Sequence, residues 1–114
     1  MQRVSIGYML IPALKFKPKL TRKSDYVIQT VAEYFEIPKE QLLAKKRTKH
    51  LVIARDIIFH TLRYDYSMTL TAIGLIFNRD HTCVIHGIQA LQNFIYSKDE
   101  AVIKSYNDVK KLLA

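Results

Sequence analysis

The residues best suited to chemistry stand in one run, Asn78-Arg79-Asp80-His81-Thr82-Cys83-Val84-Ile85-His86. An aspartate can accept a hydrogen bond from cytosine N4, an imidazole can donate or accept at a base edge, and a threonine methyl packs on the thymine methyl. Asp80 is also a natural helix N-cap, and the unpaired N–H groups of a helix start attract phosphate. Metal chemistry is the competing use of His81, Cys83 and His86. A structural zinc site wants four ligands and a catalytic one three with an open position. The remaining histidines, His50 and His60, belong to a different helix, so no metal or other cofactor is expected. A thiol nucleophile at Cys83 has no glycine-rich oxyanion element beside it, and no phosphate-binding glycine loop occurs. The run therefore reads as a recognition surface, not an enzyme site.

A second feature lies upstream. Lys45-Lys46-Arg47-Thr48-Lys49 is a basic cluster between two helical segments. A charge run is often only a solvated loop, but between helices it can serve as an arm. Arginine is the side chain that most readily enters a narrow minor groove, which singles out Arg47. Arg55 follows near the start of the next helix, where it can hold a phosphate or pair with a carboxylate. Spacing does not separate these two uses.

These groups need elements to position them, and composition bounds what is available. The 114 residues suit one domain, and a 49% hydrophobic content can fill a single core. Lysine and arginine number 18 against 10 acidic residues, a surplus of +8 that favours polyanionic partners. One cysteine cannot form an internal disulfide, consistent with a reducing compartment. The apolar run Val4 to Leu14 is interrupted by Gly7, Tyr8 and Pro12 and has no cleavage site after it, so a cytoplasmic protein is expected, with no membrane partner.

With three glycines, three prolines and no hairpin-turn dipeptide, the pattern is helical almost throughout. Residues 1–23 are expected to form a basic, partly apolar leader or arm, and 24–114 the domain. Ser24 is predicted to cap a helix running to about Phe35, with Val27, Val31 and Phe35 as its apolar stripe. A short helix follows from Pro38 to about Ala44. A longer one spans about His50 to Asp65, with Leu51, Ala54, Ile58 and Leu62 inward and Asp56, His60 and Arg63 on another face. Thr69 and Asp80 are predicted caps of the next two helices. Val84, Ile88, Leu91 and Ile95 then face the core, with His81, Cys83, His86, Gly87 and Ala90 nearer the outside. Ser97-Lys-Asp-Glu100 fits a capping box for a sixth helix. The expectation is an all-α domain of about six helices, two of them forming a helix-turn-helix.

Several motifs fall in a recognisable order: Val31-Ala-Glu-Tyr-Phe-Glu-Ile37, Leu42-Leu-Ala-Lys-Lys-Arg47, Ala54-Arg55, Ile73-Gly74 and Arg79-Asp-His-Thr-Cys-Val-Ile-His86. From about Ile28 to Ile95 the chain resembles the C-terminal DNA-binding domain of the bacterial chromosomal replication initiator DnaA. The resemblance implies a TrpR-like, all-helical domain binding a short asymmetric DNA element, the DnaA box. It would put Arg47 in the minor groove and Asp80, His81, Thr82 and Cys83 against bases in the major groove. Arg55 and Lys49 would hold phosphates, His86 would lie near the backbone or a base edge, and Lys45, Lys46 and Arg79 would complete the DNA-binding set. Three positions depart from the family's usual residues. Cys83 stands for a second threonine, Asp56 for a common glutamine, and Asn78 for a frequent glycine, tolerable because asparagine accepts left-handed geometry. A relaxed or shifted box is expected.

The chain opens on a methionine and has no room for the initiator's ATPase module, so a stand-alone box-binding protein is expected. It would mark, occupy or compete for sites without melting DNA. It is expected to be a monomer on double-stranded DNA, with the leader available to recruit replication proteins. The alternative is a protein-interaction module that kept the fold while Cys83 and Asp56 record lost DNA affinity. A small metal enzyme on His81, Cys83 and His86 is the third reading.

Overall fold

The computed structural model describes residues 22–114, so the proposed leader lies outside the described residues except for its last two positions. Six helices follow in order: α1 (Arg22–Phe35), α2 (Lys39–Leu43), α3 (Lys49–Tyr64), α4 (Leu70–Ile76), α5 (His81–Tyr96) and α6 (Glu100–Leu113). The α3 helix is the hub. It packs most extensively on α5 and next on α1, and touches α2 and α4, while α6 closes the far side against α1 and α5. The core draws on every helix, with Val27, Ile28, Leu42, Ile58, Leu62, Ile73, Leu91 and Val109 fully buried. The same bundling buries Val84 completely and Ile88 nearly so, which leaves one face of α5 outward.

The helix ends explain how short connections hold. Glu36, Asn78 and Lys98 all have positive φ, at 56°, 54° and 62°. Each follows a helix whose last carbonyls are closed by a pair of backward bonds. At the α4–α5 turn Arg79 N–H donates to the Gly74 carbonyl at 2.7 Å and Asn78 N–H to Leu75 at 3.2 Å. This is a Schellman closure with asparagine in the left-handed position that glycine most often takes. Gly74 is required on the other side of that turn, because a methyl there would stand 2.4 Å from the Arg79 carbonyl oxygen.

Some expected caps are displaced. Ser24 is not a cap but a fully buried residue inside α1, which already runs at Arg22. Thr69 does cap α4, its hydroxyl accepting from Ala72 N–H at 3.1 Å. The last helix is capped by Asp99, which accepts from Val102 N–H. Ser97, expected to open the box, instead closes α5 and donates to the Asn93 carbonyl. The register slips because the turn at Lys98 uses two residues to close one helix before the next begins.

Candidate nucleic-acid interface

The α4–turn–α5 pair presents the Arg79–His86 run at the start of α5. Its turn is pinned to α3 from below, where Phe77 lies edge-on to Phe59 with ring centroids 5.0 Å apart. Asp80 occupies the N-cap position, yet its side chain accepts no backbone N–H from the helix. It pairs with His81 Nδ1 at 2.9 Å instead, with both side chains more than half exposed. An Nδ1–H donated to Asp80 leaves Nε2 as an acceptor in the neutral ring. The predicted capping contact is therefore replaced by a pairing that orients His81. Thr82, Cys83 and His86 are exposed beside it.

Lys45, Lys46, Arg47, Thr48 and Lys49 are likewise exposed, in the loop and first turn between α2 and α3. Arg55 explains why that loop holds its shape. Its guanidinium donates through Nε to the Leu42 carbonyl at 2.8 Å and through Nη2 to Gln41 and Ala44, each at 2.9 Å. A further bond from Nη1 reaches the Lys46 carbonyl. Four of the five N–H groups of the fork are thus spent on backbone, and the residue is 5% exposed. It forms no ion pair with a carboxylate, and its bonds to backbone leave one N–H of the fork unassigned in the cleft lining. Arg79 adds a second strap, donating from Nη2 to the same Ala44 carbonyl at 2.8 Å. One carbonyl at the end of α2 therefore joins the basic loop to α3 and to the helix-turn-helix.

Between the loop and α5 lies a cleft of about 310 Å³, lined by Arg47, Arg55, Asp56, Arg79, Cys83 and His86 among others. Five of the predicted residues thus share one depression, and two of them, Arg55 and Arg79, have their proton affinity lowered, chiefly by burial, with neighbouring arginines adding to it and Asp56 and Cys83 respectively opposing it. Its floor was not foreseen. Asp56, expected on an outer face of its helix, is 4% exposed, and its Oδ2 has no hydrogen-bond partner. Burial pushes its carboxyl up to about 7, against the opposing pull of Arg47 and Arg55. Gly87, also expected outside, is buried, because α5 crosses α3 closely at that point. A methyl on it would meet Asp56 Oδ1 and Phe59 Cδ2, each at 2.7 Å. A glycine one position from a histidine on the outward face was the available signal of that close crossing.

Comparison with known proteins fits this geometry. The family model for the bacterial dnaA protein helix-turn-helix matches residues 24–91, which takes in α1 to the middle of α5. The chain belongs to the bacterial DnaA helix-turn-helix family. It is 35% identical over 86 residues to the chromosomal replication initiator protein DnaA of Enterococcus faecalis, covering 75% of this chain and 19% of that protein. It is 32% identical over 83 residues to the DnaA of Caldanaerobacter subterraneus, with 73% and 18% covered. A DnaA 2 of Protochlamydia amoebophila is 28% identical over 94 residues, with 82% and 21% covered. The chain thus spans about a fifth of the length of these curated relatives. Among the described residues of this DnaA-type domain no helix is long and apolar enough to cross a membrane. No group of three metal-ligating side chains gathers among them either.

Proposed function

We propose that this chain binds duplex DNA at a DnaA-box-like element and acts in replication initiation or its regulation. The start of α5 reads bases in the major groove through Asp80, His81, Thr82 and Cys83, with His86 beside them. Arg47 reaches into the adjacent minor groove, and Lys45, Lys46 and Lys49 hold phosphates. Arg55 and Arg79 position the loop and the turn relative to each other. One observation carries this reading: Arg55 and Arg79 converge on the Ala44 carbonyl, so the basic loop and the start of α5 form one rigid, positively charged surface. An arm and a recognition helix must keep a fixed separation to contact two grooves together. The asymmetric element needs one copy of the chain, so the protein acts as a monomer, on the nucleoid, and residues 1–23 recruit replication proteins.

The alternative of a protein-interaction module drew on Asp56 and Cys83 as signs of drift. Burial of Asp56 beneath the surface, with its carboxyl raised toward neutrality, favours DNA binding over that reading, because it puts less negative charge under the phosphates.

The test is fluorescence anisotropy with a duplex carrying a DnaA box and a scrambled duplex, across a salt series. Neutralising about five phosphates gives a slope of about −5 in log affinity against log salt. Arg47→Ala should cost about 1–3 kcal/mol on the box and weaken discrimination at one end of it. Lys49→Ala should weaken both duplexes alike. Loss of preference on the Lys49 change, or equal loss on both duplexes from the Arg47 change, contradicts this division of roles.

A further inference from the structure

The floor of the cleft holds a group that the DNA-contact scheme does not use. Asp56 lies on α3 under the surface, almost wholly removed from water, with one carboxylate oxygen lacking any partner. The cleft wall brings charged or titratable groups toward it from three other directions: Arg47 from the basic loop, Arg79 from the α4–α5 turn, and Cys83 and His86 from α5. Arg55 stands beside it on its own helix but is committed to backbone carbonyls. Of these cations Arg47 is the exposed one, at the end of a loop, and its charge is the first of those that favour the ionised carboxylate.

We propose that Asp56 takes up a proton from solvent when a duplex is seated on this face, so that DNA affinity falls as pH rises. The inference rests on the DNA-binding reading above. Two changes on docking act in the same direction. Arg47 leaves the neighbourhood of Asp56 for the groove, removing its main countercharge, and DNA phosphates approach the cleft mouth. Both disfavour a second negative charge in a site already closed to water. In the free protein burial has already brought the carboxyl to about 7, so a modest further push falls within the physiological range. A glutamine at this position would carry no such linkage, because an amide has no proton to exchange.

The sign follows directly. A carboxyl that binds its proton more tightly in the complex adds affinity below its free value and loses it above its bound value. If docking raises it by about one unit, affinity drops on the order of fivefold between about pH 6 and about pH 8. Anisotropy titrations of the full chain on box and scrambled duplexes at those two pH values, at fixed ionic strength, read this drop. Asp56→Asn, which keeps the shape and leaves every other side chain of the cleft in place, should flatten it and bind more tightly than the parent at the higher pH. Calorimetry in two buffers of different ionisation heat should show fractional proton uptake by the parent and none by the variant. Box-selective binding with an equal slope in parent and variant assigns the protons to groups other than Asp56 and overturns the proposal. Box-selective binding with no slope in either also overturns it, while the DNA-binding reading stands. Absence of binding to either duplex at the lower pH refutes both.

Discussion

Replacing Arg55 with lysine keeps the charge and most of the stem but removes the planar fork. The native fork reaches four carbonyls, those of Gln41, Leu42, Ala44 and Lys46, from one buried point. A lysine ammonium is compact and can serve one or two of these at a time. Two or three charge-assisted bonds are then lost, each worth about 1.5–3 kcal/mol when measured alone. The carbonyls on the exposed loop recover water, and neighbouring losses do not add, so the expected net cost is about 2–4 kcal/mol. For a domain of this size that lowers the melting temperature by at least about 10 °C. Circular dichroism melts give the stability, and amide hydrogen exchange gives its distribution. Protection should fall first at the end of α2 and in the loop at 44–48, with the middle of α5 keeping its protection at native temperature. Box affinity should fall with stability, because Arg47 loses its fixed starting position. A variant that melts within about 2 °C of the parent yet loses DNA affinity would refute the reasoning. Arg55 would then be a phosphate contact, as the family resemblance implies, with its carbonyl bonds expendable.

Other substitutions test separate parts of the same account. Gly74→Ala puts a methyl 2.4 Å from a backbone oxygen that cannot rotate away, and should destabilise by about 2–4 kcal/mol in urea titrations by forcing open the α4–α5 turn. Thr69→Ala should cost about 1 kcal/mol through loss of the cap bond to Ala72, whereas Asp80→Ala, at a cap position with no such bond, should stay within about 0.5 kcal/mol. The pH dependence of folding reports on Asp56, whose raised carboxyl makes the folded state hold a proton that the unfolded chain releases. Its stabilising contribution is complete below about pH 4 and is lost as pH rises through about 7, a difference on the order of 4 kcal/mol. Urea midpoints across that range should fall in the parent, and the fall should be smaller in Asp56→Asn.

Helix identity and order were legible in the sequence because they rest on local pattern. Leu51, Ala54, Ile58 and Leu62 repeat at the helical period, and all four are buried. Thr69 caps where its type and position say it should, and Asn78 takes the left-handed conformation its side chain tolerates. The collinear motifs from Val31 to His86 fixed the family for the same reason, since order and spacing are properties of the chain itself. Polar residues were harder. Asp80 has the type and place of a cap, yet its carboxylate meets the neighbouring imidazole, because the ring N–H competes with the backbone N–H groups of the helix start for the same acceptor. Ser24 looked like a helix start because serine favours caps, but α1 already runs two residues earlier and packing buries it.

What the tertiary structure alone decided concerns Arg55, Asp56 and Gly87. The carbonyls that hold Arg55 lie 9 to 14 residues before it, on another helix and its loop. The neighbour that encloses Asp56 arrives from α5, where Gly87 permits the close crossing. Periodicity marks which face of a helix is apolar, but a polar residue on the flank of that face is buried or exposed according to what packs there. That depends on contacts between distant segments, which no local pattern records. The sequence therefore determined the helices, their order and the outward placement of Asp80, His81, Thr82 and Cys83. Packing gave Arg55 the strap that holds the arm, and made an expected surface carboxylate the buried floor of the cleft.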